Sequence, residues 1–235
     1  MVDKPRQFTL AIEHPHESRL DNFVVGANAE LLQALKAKHE GFNGYWVFGP
    51  RSCGRTHLLA GCYIQAQAEL QSTVFIPAKL HAQEPTQIHD ALAQAGQSGQ
   101  MVIIDDVDCL LGNAATEAML LLVYQRLLQD RGTLLISHIE AAKALSFVTL
   151  DLASRMRSLQ HFQIQPLSDR DKMQLLAKRA QERGYELGQA VLDYWLARGP
   201  RDIANLLKDL DHLDAASLEH QQRVTIPLLK QVLGY

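Results

Sequence analysis

The sequence predicts an α/β protein: a parallel sheet covered by helices on both faces, followed by an all-helical module. Two observations predict it. Continuous apolar runs, YWVF (45–48), MVIID (101–105) and TLLIS (133–137), alternate with helical stretches, as strands buried on both faces do. After Pro166 the strand signal stops and helical periodicity alone continues.

Taken in order, residues 1–20 are polar, carry Pro5 and Pro15 and show no sustained period, which suits an extended or flexible arm. Asn28 can cap a helix, AELLQALKAKHE, that Gly41 would end. YWVF is the first strand, and a glycine-rich turn leads to a helix from about 55 to 70. STVFIPA is strand-like; PTQIHDALAQA is helical, with Gly96 and Gly99 expected after its end. MVIID is a buried strand, ATEAMLLLVYQRLLQDRG a helix with a glycine stop, TLLIS a further strand, and HFQIQ (161–165) a fifth. Ser168 and Asp171 form a capping-box pattern opening DKMQLLAKRAQERG. QAVLDYWLARG, PRDIANLLKDLDHLDAAS and TIPLLKQVL, the last capped by Thr225, complete the helices. The expected division is an arm over 1–20, an α/β core over 21–166 and a helical module over 167–235.

Composition narrows the function. The chain has 235 residues, 47% hydrophobic and 21% charged, with net charge −3. Its apolar runs are too short to span a bilayer, and its first residues lack a secretory signal, so a cytoplasmic protein is expected. Three cysteines without a CxxC pair fit reduced thiols, and the ten histidines are scattered, which argues against a histidine or cysteine metal site. No basic stripe is visible, so direct gripping of nucleic acid is disfavoured.

GPRSCGRTH (49–57) fits the phosphate-loop pattern G-x-x-x-x-G-K-[ST], except that Arg55 replaces the lysine. It lies between a predicted strand and a predicted helix, where backbone N–H groups and the positive helix end can face phosphates. Pro50, Arg51, Ser52, Cys53, Gly54, Arg55, Thr56 and His57 are the candidate binding residues. A guanidinium forks onto phosphate oxygens but cannot act as a lysine's compact point charge. Nucleotide binding, ADP or ATP, with little turnover is therefore expected. Asp105 and Asp106 end the buried strand: Asp105 with the Thr56 hydroxyl would hold Mg²⁺, and Asp106 would polarise an attacking water.

These motifs together resemble an AAA+ nucleotide-binding unit, with the last helices as its lid. RLDNFVVGANAELLQAL (19–35) closely resembles the stretch that opens the AAA+ domain of the bacterial replication initiator DnaA, and the chain is identified as a member of the DnaA family. The resemblance implies that Asn22, Phe23, Val24 and Val25 lie near the nucleotide base. It implies that Ser137 is a sensor-1 residue, that Arg155 in LASRMRS is an arginine finger acting on a neighbouring subunit's nucleotide, with Arg157 a rival, and that Arg201 is a sensor-2 arginine on the lid. The chain ends straight after the lid, so the initiator's DNA-binding domain is expected to be missing, as in the short DnaA homologues that regulate the initiator.

The same resemblance makes the arm readable. QFTLAI (7–12) is similar to the short peptide by which such regulators and polymerases engage the sliding clamp, the β subunit of the replicative polymerase. Gln7 would orient it, and Phe8, Leu10 and Ile12 would anchor it; Phe8 and Ala11 depart from the usual pattern. The implied partners are DnaA and the DNA-loaded clamp, with DNA contacted mainly through the clamp, no membrane, and self-association left open. The implied role is to stimulate hydrolysis of DnaA-bound ATP. A helicase-loader type ATPase and a non-catalytic adaptor are the alternatives.

Overall fold

The computed structural model describes residues 19–37, 40–81, 85–98, 100–220 and 223–235. These divide into two compact units. The first takes the described residues up to Phe23 and Asn28–Ile164; the second takes Val24–Ala27 and Gln165–Tyr235.

The first unit is built on five parallel strands, β1 (Asn43–Phe48), β2 (Thr73–Pro77), β3 (Met101–Asp105), β4 (Thr133–His138) and β5 (Gln160–Gln163), in the order β2-β3-β4-β1-β5. The helices of this unit are α1 (Ala29–Lys36), α2 (Arg55–Ala68), α3 (Ala78–His81), α4 (Pro85–Ser98), α5 (Ala114–Gln129) and α6 (Leu150–Arg157). Alternate residues of each strand feed two cores. Trp46, Val102, Ile104, Leu134 and Ile136 pack on one face with Leu120, Val123 and Leu127 of α5 and Leu152 and Met156 of α6. Tyr45, Val47, Ile103 and Leu135 pack on the other with Leu31, Leu58 and Leu59 of α1 and α2. Strands with apolar side chains on both faces are the expected outcome of runs such as MVIID.

The second unit is helical: α7 (Asp169–Glu182), α8 (Gln189–Arg198), α9 (Ile203–His220) and α10 (Ile226–Leu233). Trp195, Leu176, Leu206, Leu210, Leu213 and Leu229 form its core. Its first helix opens on the expected capping box. Ser168 Oγ accepts from the Asp171 N–H at 3.2 Å, and Asp171 Oδ2 accepts from the Ser168 N–H at 3.1 Å. Thr225 likewise caps α10, its side chain accepting from the Leu228 N–H.

Three local expectations are corrected. Helix α1 stops at Lys36, before Gly41, because Ala37 turns extended, and Asn28 gives it no side-chain cap although it is buried. Helix α4 runs through Gly96 to Ser98, since one glycine lowers helical propensity without ending a helix held by its buried face. Helix α6, within the stretch read for its arginines, is an element that its short polar sequence did not announce.

Candidate functional site

The chemistry-bearing residues gather where β1, β3 and β4 end. Strand β1 runs into the glycine-rich turn at Gly49, and α2 begins at Arg55. Two glycines are required there. A Cβ on Gly49 would meet the Ile164 carbonyl oxygen at 2.9 Å and Cys53 Sγ at 3.0 Å. Gly54 sits at φ +99°, a conformation that side chains resist, and leaves α2 without a side-chain N-cap. The turn so formed aims the start of a fourteen-residue helix at the ends of β3 and β4.

Asp105 is the hub. Thr56 Oγ1 donates to its Oδ2 at 2.7 Å, Ser137 Oγ donates to its Oδ1, and Ser137 Oγ accepts from the Asp106 N–H at 2.9 Å. Thus the phosphate-loop threonine, the strand-end acid and the expected sensor serine form one network. Burial pushes the Asp105 carboxyl up, and the hydrogen bonds from Ser137 and Thr56 oppose that push. A hydroxyl and a carboxylate so placed are the hard oxygen donors that Mg²⁺ takes while keeping water and phosphate ligands. Among the described residues there is no group of three or more His, Cys, Asp or Glu side chains arranged to hold a metal by themselves.

Arg55 is 8% exposed, and its Nη2 lies 3.2 Å from Asp106 Oδ1. Among the described residues its buried Nη1 has no hydrogen-bond partner. A buried donor left unmade costs about 1–3 kcal/mol, and an anionic oxygen would remove that cost. The sequence expectation had Arg55 on phosphate and Asp106 on water; the structure places the two on each other. Asp106 reaches Arg55 from a left-handed backbone, φ 54° and ψ 61°, a strained position of the kind that clusters at functional sites.

Phe23 and His57 lie with ring centroids 5.9 Å apart beside Gly54, so Phe23 lies against the phosphate loop. The four residues expected near a base are divided, however: Asn22 and Phe23 belong to the core unit, Val24 and Val25 to the helical one. Pro50 and Arg51 are exposed on the turn, and Ser52 takes φ 59°. Burial raises the Cys53 thiol, with Arg55 opposing, so no reactive thiolate is indicated.

The remaining arginines lie elsewhere. Arg155 is exposed on α6, its Nε 3.3 Å from Asp151 Oδ1 and its guanidinium 6.0 Å from the Tyr124 ring centroid. Arg157 lies over Phe147 and donates to the Leu145 carbonyl at 3.4 Å. Arg201 belongs to the helical unit, where its Nη1 meets Asp169 Oδ2 at 3.2 Å. Gln7, Phe8, Leu10 and Ile12 lie outside the described residues.

One polar residue was missed. Glu117 of α5 is fully buried and accepts three backbone N–H groups. The signal was present: Thr116, Glu117, Leu120, Val123, Tyr124 and Leu127 make the buried stripe of α5, and an acid on such a stripe calls for partners. A cavity of about 440 Å³, lined by residues that include Tyr45, Cys62, Met101 and Thr133, lies at the opposite ends of the strands, away from the acids. Among the described residues no helix is long and apolar enough to cross a membrane.

A model of the bacterial DnaA ATPase domain matches residues 15–160, and a model described as the lid domain of Hda matches residues 169–233. The fold is similar to domain III of the replication initiation protein DnaA from Thermotoga maritima, with a TM-score of 0.76 and 18% identity over 93% of this chain and 96% of that one. It is similar to AMPPCP-bound DnaA from Aquifex aeolicus, with a TM-score of 0.72 and 20% identity over 89% of this chain and 68% of that one. The Thermotoga maritima RuvB Holliday junction branch migration motor shares it at a TM-score of 0.67 and 13% identity, over 92% of this chain and 71% of that one. At these identities the likeness is one of fold.

Proposed function

The chain belongs to the family of the bacterial DnaA ATPase domain and carries an Hda-type lid, and from that premise we propose that it is a replication regulator that shuts off ATP-bound DnaA. It binds ADP or ATP at Gly49–His57, docks on the DNA-loaded sliding clamp through Gln7, Phe8, Leu10 and Ile12, and inserts Arg155 into the ATP site of DnaA. DnaA passes to its ADP form, and initiation does not repeat. The chain's own nucleotide fixes its shape and is turned over little or not at all.

The observation that carries this reading is the disposition of the arginines. Arg155 stands on the surface of a DnaA-family core, held by an exposed pair four residues apart, worth about 0.3–0.5 kcal/mol, and by a Tyr124 ring at the outer limit of cation–π range. So weak a tether leaves the guanidinium ready for a stronger anion. Val148 and Leu150, exposed where α6 begins, offer apolar surface to a partner. An arginine supplied to another protein's phosphates stabilises charge that develops in the transition state, by about 10³–10⁵ in rate. Arg55 points the same way: engaged with Asp106, it leaves that acid poorly placed to polarise water for the chain's own nucleotide. In this reading Thr56 and Asp105 hold Mg²⁺, and Asn22–Val25 and Arg201 attend the base and phosphates.

The test follows radiolabelled ATP on purified DnaA with this protein, clamp and primed DNA added or omitted. Hydrolysis should require both this protein and loaded clamp, fall to background with Arg155→Ala, and survive Arg157→Ala. Full stimulation by Arg155→Ala would leave an adaptor. ATP turnover by this protein alone, with none stimulated on DnaA, would favour a helicase-loader type ATPase.

A further inference from the structure

Helix α6 has only eight residues, too short to be stable by itself, and it buries only a few apolar side chains, among them Leu152 and Met156. A finger carried on it needs an anchor. Its N-cap residue Thr149 makes no capping bond with its own side chain. The acceptor comes instead from α5. Glu117 Oε2 accepts from the Thr149 N–H at 2.7 Å, while Oε1 accepts from the Val148 N–H at 3.1 Å and the Gly112 N–H at 2.9 Å. In a capping box an acid reaches back to the N-cap N–H of its own helix; here an acid on another helix does so.

Two features separate this carboxylate from an ordinary surface acid. It is fully buried, and among the described residues it forms no ion pair. Burial works against its charge, yet the three backbone donors together with the Thr149 side chain outweigh burial and hold the carboxyl below the usual carboxylate range. Its three partners also lie on different segments. Gly112, at φ +84°, immediately precedes Asn113, the N-cap of α5, and Val148 and Thr149 lead into α6. One side chain therefore ties the turn that opens α5 to the start of the Arg155 helix.

We propose that Glu117 is a positioning residue: its carboxylate fixes the start of α6 and so sets where Arg155 is presented. This rests on the reading of Arg155 as the arginine supplied to the partner's ATP. Glutamine at 117 keeps the size but exchanges one acceptor oxygen for an NH₂ donor, which must face backbone donors. The start of α6 loosens while its apolar contacts remain. Displacements on the order of 1 Å in a positioned group lower rates by about a hundredfold, so stimulated hydrolysis should fall about ten- to hundredfold at saturating protein.

The experiment compares Glu117→Gln, Arg155→Ala and the double variant in full-length protein. Amide hydrogen exchange at 112 and 148–150 is read alongside hydrolysis of DnaA-bound ATP. Expected are faster exchange confined to those amides, unchanged nucleotide binding by the chain itself, and a loss of maximal rate rather than of half-saturating concentration. Glu117→Gln should add nothing in the Arg155→Ala background, and Glu117→Asp, which keeps both oxygens, should recover part of the rate. Unchanged exchange at 148–150 overturns the proposal, whatever the activity. So does full stimulation by Glu117→Gln while Arg155→Ala is inactive, or a loss that persists undiminished without Arg155. A general loss of protection across β1–β5 would make Glu117 a stability residue and also overturn it. If Arg155→Ala is itself fully active, the finger reading fails, and exchange alone then decides whether Glu117 anchors α6.

Discussion

A lysine at position 55 would set one compact ammonium where Arg55 spreads two terminal nitrogens, one on Asp106 and the other buried without a hydrogen bond. The difference decides what Asp106 can do. With the guanidinium 3.2 Å away in a site that is mostly buried, the acid is engaged as an ion-pair partner rather than turned to water. Arg55→Lys is therefore expected to raise intrinsic ATP turnover by about tenfold or more over background, with nucleotide affinity changed much less, and Asp106→Asn on that background should abolish the gain. Steady-state hydrolysis by the purified protein checks it; turnover that stays at background shows that the pair is not what restrains the site. The members of this site were legible because Gly49, Gly54, Thr56 and the strand-end acids obey a spacing imposed by phosphate geometry. The pairing was not legible. It depends on the left-handed backbone at Asp106, for which an aspartate in an IDDV string gives no cue.

Among the elements, legibility followed length and the continuity of apolar pattern. Strands such as MVIID and TLLIS read directly, since every residue must be apolar when both faces are covered. Helix α6 did not, because two turns that bury Leu152, Ala153 and Met156 leave too short a period to detect. Caps divided in the same way. Asn28 looked like an N-cap but is buried and makes no capping bond, whereas Ser168 and Asp171 bond each other's backbone as a pair. A reciprocal pair is the better signal because two residue types must agree. Ser168→Ala removes the acceptor for the Asp171 N–H and should lower the stability of the helical unit by about 1 kcal/mol. The Trp195 fluorescence transition in urea reports it, with the Trp46 transition as the control; an unchanged midpoint would mean that the box does not hold α7.

The molecule as a whole offers an unusual handle, since its two tryptophans fall one to each unit and both are fully buried. Trp46 sits in β1 against the core, its Nε1 donating to the Glu140 carbonyl at 3.0 Å, and Trp195 sits at the centre of the helical unit. Trp195→Phe leaves a reporter of the core alone, and Trp46→Phe a reporter of the lid alone. A ligand that binds only the folded state stabilises whatever it touches, by about 2.7 kcal/mol at a hundredfold excess over its dissociation constant. The phosphate loop lies wholly in the first unit, so ADP with Mg²⁺ must raise the Trp46 transition if nucleotide binds there at all. Arg201 lies wholly in the second, tied to Asp169 by an exposed pair that a phosphate can replace. If that arginine meets the nucleotide, the Trp195 transition rises too, and Arg201→Ala removes the rise in the lid while leaving most of the rise in the core. Movement of the Trp46 transition alone would instead confine the nucleotide to Gly49–His57 and its neighbours, and Arg201 would then be a surface residue. Each comparison is made within one variant with and without nucleotide, so the cost of the tryptophan substitution cancels.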